Sequence, residues 1–397
     1  MGNKWVEIWG QAHSNLSHFY YPSAEKTYRF VINSAISATA VNIELSNEFS
    51  RNDVYIGNIT AALCNKNGKL LSEAKKVTVC GKNEFVLKKG ESIVSDSIEI
   101  SLEADTYFAV SIFVIKGDLR SGNLLNNINL ITVKGDVSNK TEIFNEKRKR
   151  DTVIRVAGKV LNLYLHKPVP LIKSVNGLNN TDASSIIVFG DSLSQQGFWT
   201  NRLEERIRAE YPGKFTLINK SVMGSRVLRD FSPRFPCRGL FGLSALNRIS
   251  RDILSRSDCR FAIIALGTND FLQYGTIAAP RNEKPSPEDV FLAVKRMCDM
   301  LKDKGIKPIV VNTVKFGYCI DSRPEKERLA SQYNDLLKEN RSEFCLLFDQ
   351  AELLRDSKKD NCTAKEYLGK DNLHFNENGG RFVADSFPLQ IFECSDS

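Results

Sequence analysis

Histidine is scarce in this chain: 397 residues hold only His13, His18, His166 and His374. Any chemistry needing an imidazole base near neutral pH must draw on those four. Paired cysteines are missing too. The nine, Cys64, Cys80, Cys237, Cys259, Cys298, Cys319, Cys345, Cys362 and Cys394, are odd in number, and none shows C-x-x-C spacing. That argues against a zinc or redox site, so no metal and no cofactor are expected. Free thiols point to a reducing cytoplasm, with secretion after removal of a leader as the alternative. No apolar run reaches the roughly 18 residues of a membrane span. The start, Met1-Gly2-Asn3-Lys4-Trp5, has no apolar signal core, and Val6 stands where a myristoylation motif wants Ser or Thr. The net charge of +8 is spread over a long chain. Its densest cluster, Lys147-Arg148-Lys149-Arg150, has no aromatic platform around it. It reads as a solvated loop rather than a polyanion site, and nucleic acid is not an expected partner.

What is present is ordinary for a globular protein: 42% hydrophobic and 26% charged residues. The length suits two domains. Residues 1–180 carry short alternating runs such as Thr39-Ala40-Val41-Asn42-Ile43-Glu44-Leu45 and Tyr107-Phe108-Ala109-Val110-Ser111-Ile112-Phe113-Val114. Turn signals, Asn65-Lys66-Asn67-Gly68 and Lys88-Lys89-Gly90-Glu91, separate them, which predicts an antiparallel β-sandwich. The polar stretch Asn176-Gly177-Leu178-Asn179-Asn180-Thr181-Asp182 marks the boundary. Residues 181–397 then alternate continuous apolar strands, near 186–189, 215–218, 261–266, 308–311 and 345–348, with amphipathic helices. One helix starts at Ser286 with Pro287 in its first turn and stops near Gly305; another covers about 325–340. This is the pattern of a three-layer α/β domain with a parallel sheet.

Four blocks fall at the ends of these strands. Gly190-Asp191-Ser192-Leu193 places a hydroxyl at a strand-to-helix turn, where open α/β sheets bind ligands. An isolated Gly224 follows Asn219 and offers a backbone N–H that can be approached closely. In Gly267-Thr268-Asn269-Asp270, Asn269 offers a side-chain amide. In Asp371-Asn372-Leu373-His374, the histidine can serve as base, with Asp371 close enough in one turn to orient it. Taken singly, each block has a plainer reading as a turn or a helix cap. Taken together, Ser192, His374 and Asp371 make a nucleophile, a base and its partner. The N–H of Ser192, Gly224 and Asn269 make an oxyanion hole.

The four blocks resemble the SGNH (GDSL-type) hydrolase family, whose name lists its Ser, Gly, Asn and His. The resemblance assigns those roles to Ser192, Gly224, Asn269 and His374, completes the triad with Asp371, and implies a flavodoxin-like α/β/α domain. The segments Trp5-Val6-Glu7-Ile8-Trp9, Leu45-Ser46-Asn47-Glu48-Phe49, Gly242-Leu243-Ser244-Ala245-Leu246 and Leu373-His374-Phe375-Asn376 are similar to one branch of that family. That branch has a β-rich N-terminal region and includes acetylesterases and arylesterases associated with xylan-degrading gene clusters. Ser225 departs from the Asn often found after the glycine, and Ser50 from the Gly that commonly ends the Ser-Asn-x-Phe motif.

The expected function is therefore a serine esterase acting on short O-acyl, chiefly O-acetyl, esters of a small molecule or oligosaccharide. A lipase, lysophospholipase or thioesterase with the same triad is the alternative. A non-catalytic carbohydrate-binding protein is the third reading. Arg226, Arg229, Arg234 and Arg238, interleaved with Phe231, Phe235 and Phe241, are expected to border the site mouth and to suit a sugar better than an alkyl tail. Trp5 and Trp9 are expected in packing rather than on sugar rings.

Overall fold

The computed structural model describes residues 2–16, 22–125, 128–145, 167–232 and 239–393. The basic cluster at 147–150, His18, His166, Arg234, Phe235, Arg238, Cys237 and Cys394 lie outside them. The chain forms two compact units: Met1–Ser185 with Arg208–Ile218, and Ile186–Ile207 with Asn219–Ser397. Among the described residues no helix is long and apolar enough to cross a membrane.

Two antiparallel sheets make up most of the first unit. One runs in the order Lys4–Gly10, Ile172–Asn179, Ala38–Ser46 and Ser92–Val94; the other runs Asn129–Lys134, Pro22–Asn33, Tyr107–Asp118, Val54–Leu63 and Lys75–Lys76. Alternation explains how they share a core. Val41, Ile43 and Leu45 from the first sheet and Phe108, Val110, Ile112 and Val114 from the second are buried in one cluster. Trp9 is buried there as well, as packing rather than as a sugar platform. The polar run at 176–182 is not all linker, because Asn176, Gly177 and Leu178 pair with Glu7, Val6 and Trp5. Turn chemistry is legible in the backbone: Gly68 and Gly90 have φ of 83° and 79°.

The outer face of the second sheet hides a cation. Arg29 is fully buried opposite Ser111. Its guanidinium donates to Ser111 Oγ at 2.9 Å and to the carbonyls of Gly68, Ser138 and Lys140 at 3.0, 3.1 and 2.7 Å. Two loops are thereby pinned over the sheet by one planar fork.

The second architecture is a five-stranded parallel sheet in the order Phe215–Asn219, Ser184–Gly190, Cys259–Ala265, Lys307–Val311 and Leu346–Phe348. The α/β fold expected from the sequence is the one observed, and each apolar run is a strand within two residues of its expected limits. Ser184–Gly190 is buried along its whole length, as a central parallel strand should be. The helix Pro287–Lys302 starts where the sequence placed it: Ser286 accepts the Asp289 N–H at 3.0 Å, and Pro287 needs no partner at the first position. Cys64, Cys80, Cys298, Cys319 and Cys362 are free thiols, and burial pushes Cys64 and Cys298 up to about 12.

Arg29→Ala should destabilise the protein by roughly 2–4 kcal/mol, since buried carbonyls lose a charged donor. Urea unfolding followed by the fluorescence of Trp5 and Trp9 measures this, and a change within about 0.5 kcal/mol would count against it.

Candidate active site

Strand Ser184–Gly190 delivers Asp191 and Ser192 to its carboxyl end. Asp191 caps the short helix Ser192–Gln195: its Oδ1 accepts the Leu193 N–H at 3.0 Å, and its carbonyl accepts the Gln195 N–H at 2.9 Å. Ser192 thus occupies the first helical position, with its hydroxyl 2.7 Å from His374 Nε2. His374 Nδ1 lies 2.6 Å from Asp371 Oδ2. The turn is built to hold that pair. Asp371 Oδ1 accepts the N–H of Leu373 at 3.1 Å and of His374 at 3.0 Å, while Asn372 takes a φ of 56°, which Asn tolerates better than most residues. Burial raises the Asp371 carboxyl, but the hydrogen bond and charge of His374, with the two backbone N–H groups, outweigh it. Asp371 is held below its ordinary value as an ionised partner. His13 lies in the other unit, against the Ile172 carbonyl at 3.0 Å.

Gly224 has φ of 68°, and a β-carbon there would come within 2.3 Å of the Phe241 ring, so only glycine fits. Its carbonyl accepts from Gln273 Nε2 at 2.8 Å. The N–H groups of Ser192 and Gly224 have no hydrogen-bond partner among the described residues. Asn269 is also brought here, but not with its amide unused. Its Nδ2 donates to Asp191 Oδ2 at 3.1 Å and to the Ser225 carbonyl at 3.2 Å.

Several supporting residues were not singled out from the sequence. Asp270, treated there as part of a cap, reaches across to the loop beyond Gly224 and accepts the N–H groups of Val227 and Leu228 at 2.8 and 3.2 Å. Arg248 is fully buried, with its guanidinium 3.8 Å over the Phe189 ring. It donates to the carbonyls of Lys220 at 2.8 Å and Gly190 at 3.1 Å, and to Asp252 at 3.1 Å. It thus ties the ends of two strands beside Ser192. Phe241 sits on Gly224 within a stretch held by Gly242 N–H to the Gly239 carbonyl at 3.0 Å and Ser244 N–H to Asp230 at 2.7 Å. The signal for Asp191 and Asp270 lay inside the quoted blocks; nothing local marked Arg248 or Gln273. Arg226, expected at the site mouth, is buried and committed to Glu283 at 2.6 Å and the Asp230 carbonyl at 2.5 Å. Arg229 is exposed.

Desolvation dominates both buried carboxyls. It lifts Asp191 and Asp270 to about 6 each, against the opposing pull of their N–H donors and nearby charges. A carboxyl in the unfolded chain titrates near ~3.9. Each group therefore contributes stability that is full below about 4 and is lost as pH rises through about 6. Asp270→Asn abolishes one such titration. The melting temperature of the variant relative to the parent should consequently improve between pH 4 and pH 7. Parallel curves would show that Asp270 titrates normally.

Residues 188–382 match the model of the GDSL-like lipase/acylhydrolase family. Solved structures similar to this chain include an acetyl xylan esterase at 18% identity, covering 51% of this chain and 96% of the other, with a TM-score of 0.37. A catalytic mutant of an acetylxylan esterase from Geobacillus stearothermophilus has 14% identity, with coverage of 54% and 96% and a TM-score of 0.41. A psychrotrophic esterase from Pseudoalteromonas sp. has 18% identity, with coverage of 51% and 93% and a TM-score of 0.35. No curated protein matches the chain. With the Ser192 hydroxyl at a strand end, 2.7 Å from the His374 imidazole, and both inside the segment that matches the GDSL-like lipase/acylhydrolase model, the protein is a carboxylic ester hydrolase.

Proposed function

We propose that Ser192, His374 and Asp371 hydrolyse short-chain O-acyl esters, with O-acetyl groups on a carbohydrate as the substrate, through a covalent acyl-enzyme. The observation that carries this reading is the continuous chain from Asp371 Oδ2 through both ring nitrogens of His374 to Ser192 Oγ. The serine oxygen attacks the ester carbonyl as its proton passes to His374 Nε2. The charge that forms on the carbonyl oxygen is met by the N–H groups of Ser192 and Gly224 and by the Asn269 amide. Collapse expels the alcohol, which takes the proton from His374. Water then gives its proton to His374 and attacks the acyl carbon, releasing the acid and restoring Ser192. Asp371, kept ionised, stabilises the imidazolium in both halves.

Phe241 supports the preference for small acyl groups. Its ring lies against Gly224, whose N–H is assigned to the oxyanion, and in this reading it walls the acyl side of the site. The likeness of 5–9 and 45–49 to the branch containing xylan-cluster acetylesterases favours an acetylated saccharide as the alcohol.

Ser192→Ala and His374→Ala should each abolish ester hydrolysis without altering the far-UV circular dichroism spectrum. A serine-directed phosphonate should label the parent and not Ser192→Ala; labelling elsewhere would move the nucleophile. Acyl selectivity is read from p-nitrophenyl esters. The parent should turn over acetate fastest and fall off beyond butyrate, and Phe241→Ala should raise kcat/KM for hexanoate relative to acetate about tenfold, since each extra methylene in a pocket is worth ~1–3 kcal/mol. Faster turnover of octanoate or palmitate by the parent would place the enzyme among lipases.

A further inference from the structure

Asn269 presents a problem of proton supply. Its amide nitrogen has two hydrogens, and both have acceptors, Asp191 Oδ2 at 3.1 Å and the Ser225 carbonyl at 3.2 Å. An oxyanion can be served by this side chain only if one of those bonds is given up. The two are unequal. A hydrogen bond to a carboxylate is roughly twice as strong as one to a neutral carbonyl, so the bond to Ser225 is the one that yields.

Asp191 also decides which way the amide faces. An ionised carboxylate can only accept, so the Asn269 nitrogen rather than its oxygen must turn toward it. The opposite orientation would aim a carbonyl oxygen at the developing negative charge. Asp191 is buried to 1% exposure and uses its two oxygens for two different blocks, Oδ1 on the Leu193 N–H of the nucleophile helix and Oδ2 on Asn269. Burial lifts its carboxyl to about 6, and above that pH it is the acceptor-only form that faces the amide.

We propose that Asp191 is the positioning residue of the oxyanion site, holding the Asn269 amide nitrogen toward the reacting carbonyl while fixing the helix start that carries Ser192. It touches no substrate and acts through Asn269. The inference rests on the proposed roles of Ser192 and Asn269.

Two variants separate this from a cap that merely stabilises. Asp191→Asn keeps a strong N-cap but has one acceptor oxygen for two donors, so its own amide meets that of Asn269 and turns it over. Asp191→Ser also caps, but is too short to reach Asn269. Both should lower kcat for p-nitrophenyl acetate by about 10²–10³, the range for loss of one oxyanion donor, with KM changed less than about threefold. Asn269→Ala should show the same loss. The double variant Asp191→Ser/Asn269→Ala should fall no more than about threefold below Asn269→Ala alone, because the two act as one unit. If Asp191→Ser and Asp191→Asn keep kcat while Asn269→Ala loses it, the proposal is overturned. It is also overturned if the double variant loses a further hundredfold, which would give Asp191 an effect independent of Asn269. Activity surviving in Ser192→Ala would instead remove the catalytic reading itself.

Discussion

A carboxylate cannot stay ionised in the interior unless donors surround it, and the second unit places two such groups where distant stretches of chain must meet. Asp191 and Asp270 are both nearly inaccessible. Asp191 finds its donors in Leu193 and Asn269, Asp270 in the backbone of Val227 and Leu228. The bond from Asn269 to Asp191, and those from Val227 and Leu228 to Asp270, also join stretches far apart in the chain. Asp191 links the first block to the third, and Asp270 links the third to the loop beyond Gly224. The cost of desolvation, visible in both carboxyls rising to about 6, is thus coupled to the geometry of the site. Loss of any donor leaves a buried charge short of a partner, so the loops have few alternative arrangements.

Arg248 does the converse job with positive charge. It lies flat on Phe189 and donates to the carbonyls of Gly190 and Lys220, which leave their strands just before they turn into the site. Burial lowers it to about 10, yet it stays charged at neutral pH, with Asp252 as its counter-ion. A guanidinium suits this place because its planar fork reaches two carbonyls at once, where an ammonium has no fixed directions. The turn at Ser192 therefore has an anion on one side and a cation on the other, each held by hydrogen bonds within the protein.

Much of this was legible in the sequence, because it is local. Continuous apolar runs such as 186–189 gave buried parallel strands, Ser286-Pro287 gave a helix start, and Asp371 three residues before His374 gave a turn whose side chains meet. What was not legible depends on partners far along the chain. Arg226 looks like a surface cation in a polar segment, but Glu283, 57 residues on, takes it into the interior. Asn269 reads as a free amide until Asp191 and Ser225 are brought to it across 78 and 44 residues. Asp270 reads as a helix-start acid, since local donors satisfy most such residues, and its real donors lie in the loop beyond Gly224.

The same distinction explains why Gly224 is informative in two ways. From sequence it is a backbone donor without a side chain. In the fold, the face where a β-carbon would project is filled by Phe241, and its carbonyl is taken by Gln273, which leaves the N–H as its one polar group without a partner among the described residues. A glycine held on two sides cannot rotate its peptide to follow a substrate. In the proposed role, the donor would be in place before the charge forms, and the reorganisation that water would need is avoided. Ser192 N–H is fixed in the same way by the Asp191 cap, whereas Asn269 must exchange one acceptor for another. The proposed oxyanion site would therefore combine two donors that are rigid from the start with one that is released at a cost. The size of that cost is set by the difference between a charged acceptor that keeps its hydrogen and a neutral one that gives it up.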